Sequence, residues 1–136
     1  MTYFLAKTEP LSYSIDQFRQ DKRTTWDGIR NPQALQAVKR MRPGDRVFIY
    51  HTGGQSAVVG LAKVESESRP DPKNDKSVVV DVAYLTHLEP PTTLAEIKAS
   101  HMFDDWALVR QGRLSTMEAP DSFVKWMRER YPGVKI

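Results

Sequence analysis

Two apolar runs meet at a pair of glycines in RVFIYHTGGQSAVVGLAKV, residues 46–64, and this segment indicates the class of fold. Residues 46–52 and 57–64 are rich in β-branched and aromatic side chains, which are typical of strands. Gly53-Gly54 separates them, so the two strands are expected to pair as a hairpin or close meander. Gly60 inside the second strand predicts a bulge or a close approach by another group. The fold is therefore expected to start from an antiparallel strand pair.

Further strands and helices are predicted on both sides of this pair. Composition and spacing predict strands at residues 2–7, 77–85 and 113–117, helices at residues 14–20, 32–41 and 121–131, and a short helix capped by Thr93 and Glu96. Residues 66–76 are expected to form a long surface loop, and Pro90-Pro91 to end the sheet-rich part. Strands and helices do not alternate, so we expect an α/β (α+β) domain with a mostly antiparallel, barrel-like sheet flanked by helices.

The composition narrows the classes of function. The chain has 136 residues, which fits a single domain over residues 1–136. It contains no cysteine, which excludes disulfides, thiol nucleophiles and cysteine-based zinc sites. Because the N-terminus lacks a signal pattern and no apolar run approaches about 20 residues, we expect a soluble, cytoplasmic protein without membrane contact. No Gly-rich loop of the Walker or dinucleotide type occurs, so no cofactor is expected.

The charge distribution points to a phosphate-bearing partner. The formal net charge is +3, and residues 1–50 and 106–136 are basic while residues 51–105 are acidic. If the fold brings the two ends together, one face becomes a basic patch suited to nucleic-acid phosphates. The alternative is an ordinary solvated surface of mixed sign.

The segment WDGIRNP, residues 26–32, concentrates side chains that bind flat polar ligands. Asn31 before Pro32 is typical of a helix start, so residues 26–30 are expected to form a loop. On such a loop Trp26 can stack on a base. The alternative is that Trp26 fills the core while Asp27 and Arg30 pair with each other.

A second candidate site segment follows the first predicted strand. Lys7, Thr8 and Glu9 come at the end of an apolar, aromatic run, and Pro10 follows them. Polar groups at the end of a strand face a cleft more often than a core. These three side chains are therefore expected to contribute to a binding site.

With these segments in place, the chain resembles the EVE domain family, small proteins of PUA-like fold related to YTH domains and to thymocyte nuclear protein. The resemblance spans nearly the whole sequence and depends on the order and spacing of short motifs. They are KTEP (7–10), YSI (13–15), WDGIRN (26–31), GD (44–45) before FIYHT (48–52), VVG (58–60), PDP (70–72) and RLS (113–115).

The resemblance implies a non-catalytic reader that holds a modified nucleobase, flipped or unpaired, in an aromatic pocket. For EVE domains the implied ligand is modified cytosine in DNA, and YTH relatives read methylated adenine in RNA. Trp26 would be a stacking wall, and Thr8, Glu9 and Asp27 would hydrogen-bond the base edge. Flanking phosphate would be held by Arg30 and Arg113. The implied base pocket comprises Lys7, Thr8, Glu9, Trp26, Asp27, Tyr50 and His51.

The sequence departs from the family pattern at three places. Many members carry Trp where this chain has Phe4, and a Val-containing stretch where it has TME at residues 116–118. YTH domains close their cage with a tryptophan from the loop after the VVG strand, whereas residues 66–76 contain no aromatic residue. Tyr50 or His51 is therefore expected to supply a second wall beside Trp26.

Two other functions remain open from the sequence. One is an RNA-binding, PUA-like accessory domain for tRNA or rRNA. The other is an enzyme that uses His51 with Asp27 or Glu9 as an acid–base pair. The chain has only three histidines, without metal-ligand spacing, so no metal site is expected. We expect a monomer that binds DNA in preference to RNA.

Overall fold

Seven strands and five helices make up the computed structural model, which describes residues 1–136. The strands are β1 (Tyr3–Thr8), β2 (Arg23–Trp26), β3 (Arg46–His51), β4 (Ala57–Val64), β5 (Arg69–Asp71), β6 (Asn74–Thr93) and β7 (Thr116–Glu118). The helices are α1 (Ile15–Asp21), α2 (Pro32–Arg40), α3 (Leu94–Ala99), α4 (Ala107–Arg110) and α5 (Asp121–Arg130). The longest helix, α5, has 10 residues, and no helix combines the length and apolarity that crossing a membrane requires.

The sheet is mixed but mostly antiparallel, as predicted. Its strand order is β2-β6-β4-β3-β1-β7, and β5 pairs with β6 outside this path. Only β1 and β3 run parallel, because the chain between them crosses over through α1, β2 and α2. The end strands β2 and β7 do not pair, so the sheet is not closed. The predicted α+β class is confirmed, with an open sheet that resembles the barrel-like PUA fold.

The bulge and the close approach by another group that are expected at Gly60, inside β4, are both present. The register of β4 shifts against β3 next to Ile49 and against β6 next to Gly60. A Cβ atom on Gly60 would collide with Cδ1 of Ile15, the first residue of α1. The missing side chain therefore lets α1 lie directly on the sheet.

Residues 66–76 do not form the long loop that the sequence predicts. β5 pairs antiparallel with the start of β6, and Asp71 lies opposite Asn74. Only Pro72 and Lys73 connect the two strands. The prediction was wrong because the polar composition of this hairpin reflects its exposure, and its backbone pairing comes from a neighbouring strand.

The prediction that the proline pair at residues 90–91 ends the sheet was also wrong. β6 continues through it to Thr93. The ladder with β4 is interrupted between the pair Gly60 and His87 and the pair Val58 and Thr92, and the prolines lie in that interruption. A proline lacks the N–H that a regular ladder needs, so the bulge accommodates both prolines.

Trp26 lies on a strand and not on the predicted loop. β2 ends at Trp26, which pairs with Val80 of β6. The preceding Thr24 and Thr25 have strand-favouring side chains. The helix cap at Asn31 marks only the end of the loop, which therefore runs from residue 27 to residue 31.

Local capping signals are confirmed at three helices. The Ser14 side chain accepts the Gln17 N–H at the start of α1. Asn31 accepts two backbone N–H groups at the start of α2. Thr93 and Glu96 form a reciprocal capping box on α3. These helices and α5 pack residues into one core cluster of 35 buried side chains, which holds the site elements in place.

Candidate nucleic-acid interface

The ends of β1 and β2 and the turn after β1 surround a cleft of about 410 Å³, which we name the aromatic cleft. This volume lies within the roughly 300–1,000 Å³ of small-ligand sites. Four of the predicted site residues line it together: Lys7, Thr8, Trp26 and Asp27. The other lining residues are Ser12, Tyr13, Thr24 and Thr25.

The Trp26 ring is held in a fixed orientation. Strand alternation places Thr24 and Trp26 half-buried, while Arg23 and Thr25 are exposed. The Tyr13 ring meets the Trp26 ring edge to face, with 6.4 Å between centroids and an interplanar angle of 83°. Phe18 of α1 lies 6.4 Å from the same ring. Trp26 therefore contributes to both the core edge and the cleft wall.

Two side chains of β1 also line the aromatic cleft. The Thr8 hydroxyl donates to the Tyr13 carbonyl at 2.8 Å, which holds the turn against the strand. The Lys7 ammonium donates to the Gly112 carbonyl at 3.0 Å and lies 5.4 Å from the centroid of the Tyr50 ring. Partial burial lowers the pKa of Lys7. Lys7 thus places a cation between β1 and the C-terminal part of the chain.

The basic ends of the chain meet beside this cleft. β1 pairs with β7, and the Lys7 N–H donates to the Ser115 carbonyl at 2.8 Å. Arg113 lies between Ser115 and Gly112, the hydrogen-bond partner of the Lys7 side chain. Its guanidinium is exposed and forms no ion pair. The fold therefore brings the two basic segments together, which is the condition for a basic patch that the charge distribution sets.

Asp27 and Arg30 are exposed and do not pair with each other. The alternative in which they neutralise one another beneath a core tryptophan is therefore not observed. The Asp27 carboxylate is available at the cleft, and the Arg30 guanidinium is available on the loop that follows.

Glu9 and His51 line a different cavity, of about 340 Å³, which we name the histidine cleft. It lies on the other side of the turn after β1, and its remaining lining residues are Pro10, Leu11, Thr52, Gly53, Gly54, Gln55 and Val59. The Glu9 carboxylate accepts the Leu11 N–H at 3.3 Å. The structure therefore brings Glu9 and His51 together but separates them from Trp26.

His51 has a structural hydrogen bond at its ring. Its Nε2 atom accepts the Ile15 N–H at 3.0 Å, which requires the proton on Nδ1. Burial lowers the pKa of His51, against opposing effects of Asp16 and Glu9. Because the Nε2 lone pair is engaged and Asp27 lines the other cleft, the structure does not assemble the acid–base pair of His51 and Asp27.

Tyr50 lines neither cleft. Its side chain is 3% exposed, and burial raises the pKa of its hydroxyl. Its ring lies beneath the Lys7 ammonium. Tyr13 takes the place beside Trp26 that the sequence predicts for Tyr50 or His51.

The family model of the EVE domain matches residues 2–130. The chain belongs to the EVE domain family. The resemblance found in the sequence motifs is therefore confirmed.

Relatives of this EVE domain include thymocyte nuclear protein 1 of Rattus norvegicus, which is 33% identical over 73% of this chain and 56% of the relative. The chain thus spans about half the length of the curated relatives it matches. The NMR structure of Rpa0253 from Rhodopseudomonas palustris is 33% identical, with a TM-score of 0.90 and coverage of 100% of this chain and 97% of that chain. Human THYN1 in complex with 5-methylcytosine-containing DNA has a TM-score of 0.86 over 96% of this chain and 97% of that chain. At 23% identity, that similarity shows the fold alone.

Four residues of the aromatic cleft were absent from the predicted site of this EVE domain: Ser12, Tyr13, Thr24 and Thr25. Tyr13 belongs to a motif of the family resemblance, but nothing in its sequence neighbours places it against Trp26. Thr24 could have been found from period-2 alternation, which puts it on the same face of a strand as Trp26.

Proposed function

We propose that this EVE domain binds a modified nucleobase, a modified cytosine in DNA, in the aromatic cleft without changing it chemically. One observation carries the proposal. The Trp26 ring is fixed edge-on by Tyr13 at the wall of a cleft that also contains hydroxyl, carboxylate and ammonium groups. A flat, polar ligand of base size matches this combination of one stacking surface and several hydrogen-bonding groups.

The energetics favour an unpaired base. Taking a base out of a duplex costs a few kcal/mol, and stacking on an aromatic side chain returns roughly 1–3 kcal/mol. The stacking on Trp26 alone therefore leaves little surplus. Further contacts to the base edge, or a base that is easier to unstack, are needed for net binding.

The edge of cytosine offers a suitable contact to Asp27. Its exocyclic amino group is a donor, and carboxylates accept from it. The Asp27 carboxylate is exposed at the cleft and has no ion-pair partner. Thr8 is already bonded to the Tyr13 carbonyl, so its hydroxyl oxygen retains acceptor capacity for the base. A contact from Glu9 requires the base edge to reach past the turn toward the histidine cleft.

Flanking phosphates are assigned to the cations around the aromatic cleft. Lys7 lies on its wall. Arg30 is exposed and follows Asp27 by three residues, and Arg113 is exposed and adjoins Gly112, whose carbonyl accepts from the Lys7 ammonium. Phosphate contacts of this kind position a nucleic acid and make affinity depend on salt, while the base contacts select the ligand.

The relatives support a binding function. Human THYN1, which shares the fold, is known in complex with 5-methylcytosine-containing DNA. Binding without catalysis is supported by His51, whose Nε2 lone pair is used by the Ile15 N–H.

The test is a titration of single- and double-stranded oligonucleotides that carry plain, methylated or hydroxymethylated cytosine. The wild type is expected to prefer a modified strand at least tenfold, a difference of about 1.4 kcal/mol. Trp26→Ala is expected to abolish this preference, and Trp26→Phe, which retains a ring, to keep most of it. Thermal unfolding of both variants serves as the control for folding.

Equal, salt-sensitive binding of all DNA strands would overturn the assignment of the aromatic cleft to modified cytosine. The same titration with RNA strands then decides whether the chain is an RNA-binding accessory domain, which would bind RNA more tightly than DNA at the same salt concentration.

A further inference from the structure

Leu11 is the most exposed large apolar side chain in the structure, at 96%. The other exposed apolar side chains are Met1 at 78%, Met102 at 58% and Leu85 at 41%. Leu11 differs from them in its place, because it lies on the turn between the two clefts. Leu11 itself lines the histidine cleft, and the next residue, Ser12, lines the aromatic cleft. Leu11 is therefore an exposed apolar side chain next to the proposed base site.

The turn that presents Leu11 is held by hydrogen bonds from both sides. The Glu9 carbonyl accepts the N–H groups of Ser12 at 2.9 Å and Tyr13 at 2.8 Å. The Glu9 carboxylate accepts the N–H of Leu11 itself at 3.3 Å. The Thr8 hydroxyl ties the far end of the turn to β1 through the Tyr13 carbonyl. The backbone is therefore ordered beneath a side chain that packs on almost nothing.

We propose that Leu11 enters the base stack of double-stranded DNA at the position left by the base that occupies the aromatic cleft. This inference rests on the proposed function. Extrusion of a base leaves an apolar gap between its neighbours, and proteins insert Leu, Ile, Met, Phe or Pro side chains between base steps as wedges. An apolar tip on a preordered turn beside the receiving cleft has the chemistry and the place for this role.

The wedge acts only where a stack has to be opened. A single strand needs no unpairing, so Leu11 contributes little to its binding, whereas a duplex gains from the filled gap. Leu11 is therefore a positioning residue, and Trp26 contacts the base itself.

The experiment compares wild type, Leu11→Ala and Leu11→Met on modified-cytosine oligonucleotides in single- and double-stranded form. Leu11→Ala is expected to weaken duplex binding about tenfold and to leave single-strand binding within about twofold of wild type. Leu11→Met, which retains a long apolar side chain, is expected to keep duplex binding. Met102→Ala is the matched control, because Met102 is also exposed but lines a cavity elsewhere.

A fluorescent 2-aminopurine placed next to the modified cytosine reports unstacking directly. Its emission is expected to rise on binding of wild type and to rise less with Leu11→Ala. The wedge role would be overturned if Leu11→Ala lost affinity equally for both forms of DNA, or lost none for the duplex. The proposed function would stand in either case, provided that the wild type still preferred the modified base. A wild type without preference for modified single strands would overturn the proposed function and the wedge with it.

Discussion

The two clefts share the turn after β1 as a common wall but use their polar groups differently. In the histidine cleft, the His51 ring accepts the Ile15 N–H and the Glu9 carboxylate accepts the Leu11 N–H. In the aromatic cleft, the Asp27 carboxylate has no ion-pair partner and the Trp26 ring lines the cavity. Residue types alone favour the histidine cleft for chemistry. The hydrogen bonds show instead that its groups hold structure, whereas in the aromatic cleft the Asp27 carboxylate forms no ion pair and is available to a ligand.

The histidine cleft also supports the aromatic cleft through α1. His51 holds the first N–H of α1, and α1 carries Phe18, which packs on Trp26. Tyr13, just before the helix, contacts the same ring. One cleft is therefore the scaffold and the other the proposed binding surface.

The division into a structural cleft and a binding cleft predicts its largest effect for His51→Ala, and that effect is on stability. The substitution removes the acceptor of the half-buried Ile15 N–H, so the free energy of unfolding should fall by about 1–3 kcal/mol. The preference for modified over plain cytosine should survive under folded conditions. Denaturant unfolding and oligonucleotide titration measure the two quantities. His101→Ala, at a side chain that is 80% exposed, is the control. Unchanged stability with a lost preference would instead make His51 a base contact.

A smaller effect is expected from Arg113→Gln at the edge of the aromatic cleft. Loss of one phosphate contact should weaken binding of plain and modified DNA alike by a few-fold and reduce the salt slope by about one. Titrations at several salt concentrations measure both changes. Arg110→Gln is the matched control, since the Arg110 guanidinium is also exposed but pairs with Asp105 at 3.2 Å. A change confined to modified DNA would assign Arg113 to base recognition.

The smallest effect is expected in the pH dependence of stability. Burial lowers the pKa of folded His51 below its ordinary value of 6.5, so the unfolded chain binds this proton first as the pH falls. The contribution is complete above about pH 6.5 and is lost on acidification toward the folded pKa. In His51→Gln, whose amide oxygen can still accept the Ile15 N–H, unfolding free energies at pH 7.5 and pH 5.5 should differ less than in wild type. An equal difference in both proteins would assign the pH dependence to other groups.

Predictions from local sequence succeeded where neighbouring residues carry the whole interaction. The helix starts at Ser14, Asn31 and Thr93 are formed by side chains that bond to N–H groups two or three residues further on. The strand pair of β3 and β4 is similarly local, because a short connection joins two apolar runs. The motifs of the EVE family could also be identified from the sequence alone, since their order along the chain is a property of the sequence.

Predictions failed where pairing with a strand distant in the sequence determines the backbone conformation. β2, with Trp26 at its end, pairs with β6 more than 50 residues later, and the hairpin of β5 and β6 is polar because it is exposed. Neither has the apolar alternation that marks a half-buried strand. The bulge that carries β6 past its prolines depends on the register with β4, which local composition does not encode.

The sequence by itself determined the family, the mixed α+β class, the capped helices and four of the side chains that line the aromatic cleft. Only the tertiary structure separated Glu9 and His51 from Trp26, placed Tyr13 against the tryptophan ring and presented Leu11 between the two clefts. The physical reason is that capping and strand propensity act between near neighbours. A cleft, by contrast, is built from the ends of strands that hydrogen bonds bring together from distant parts of the chain.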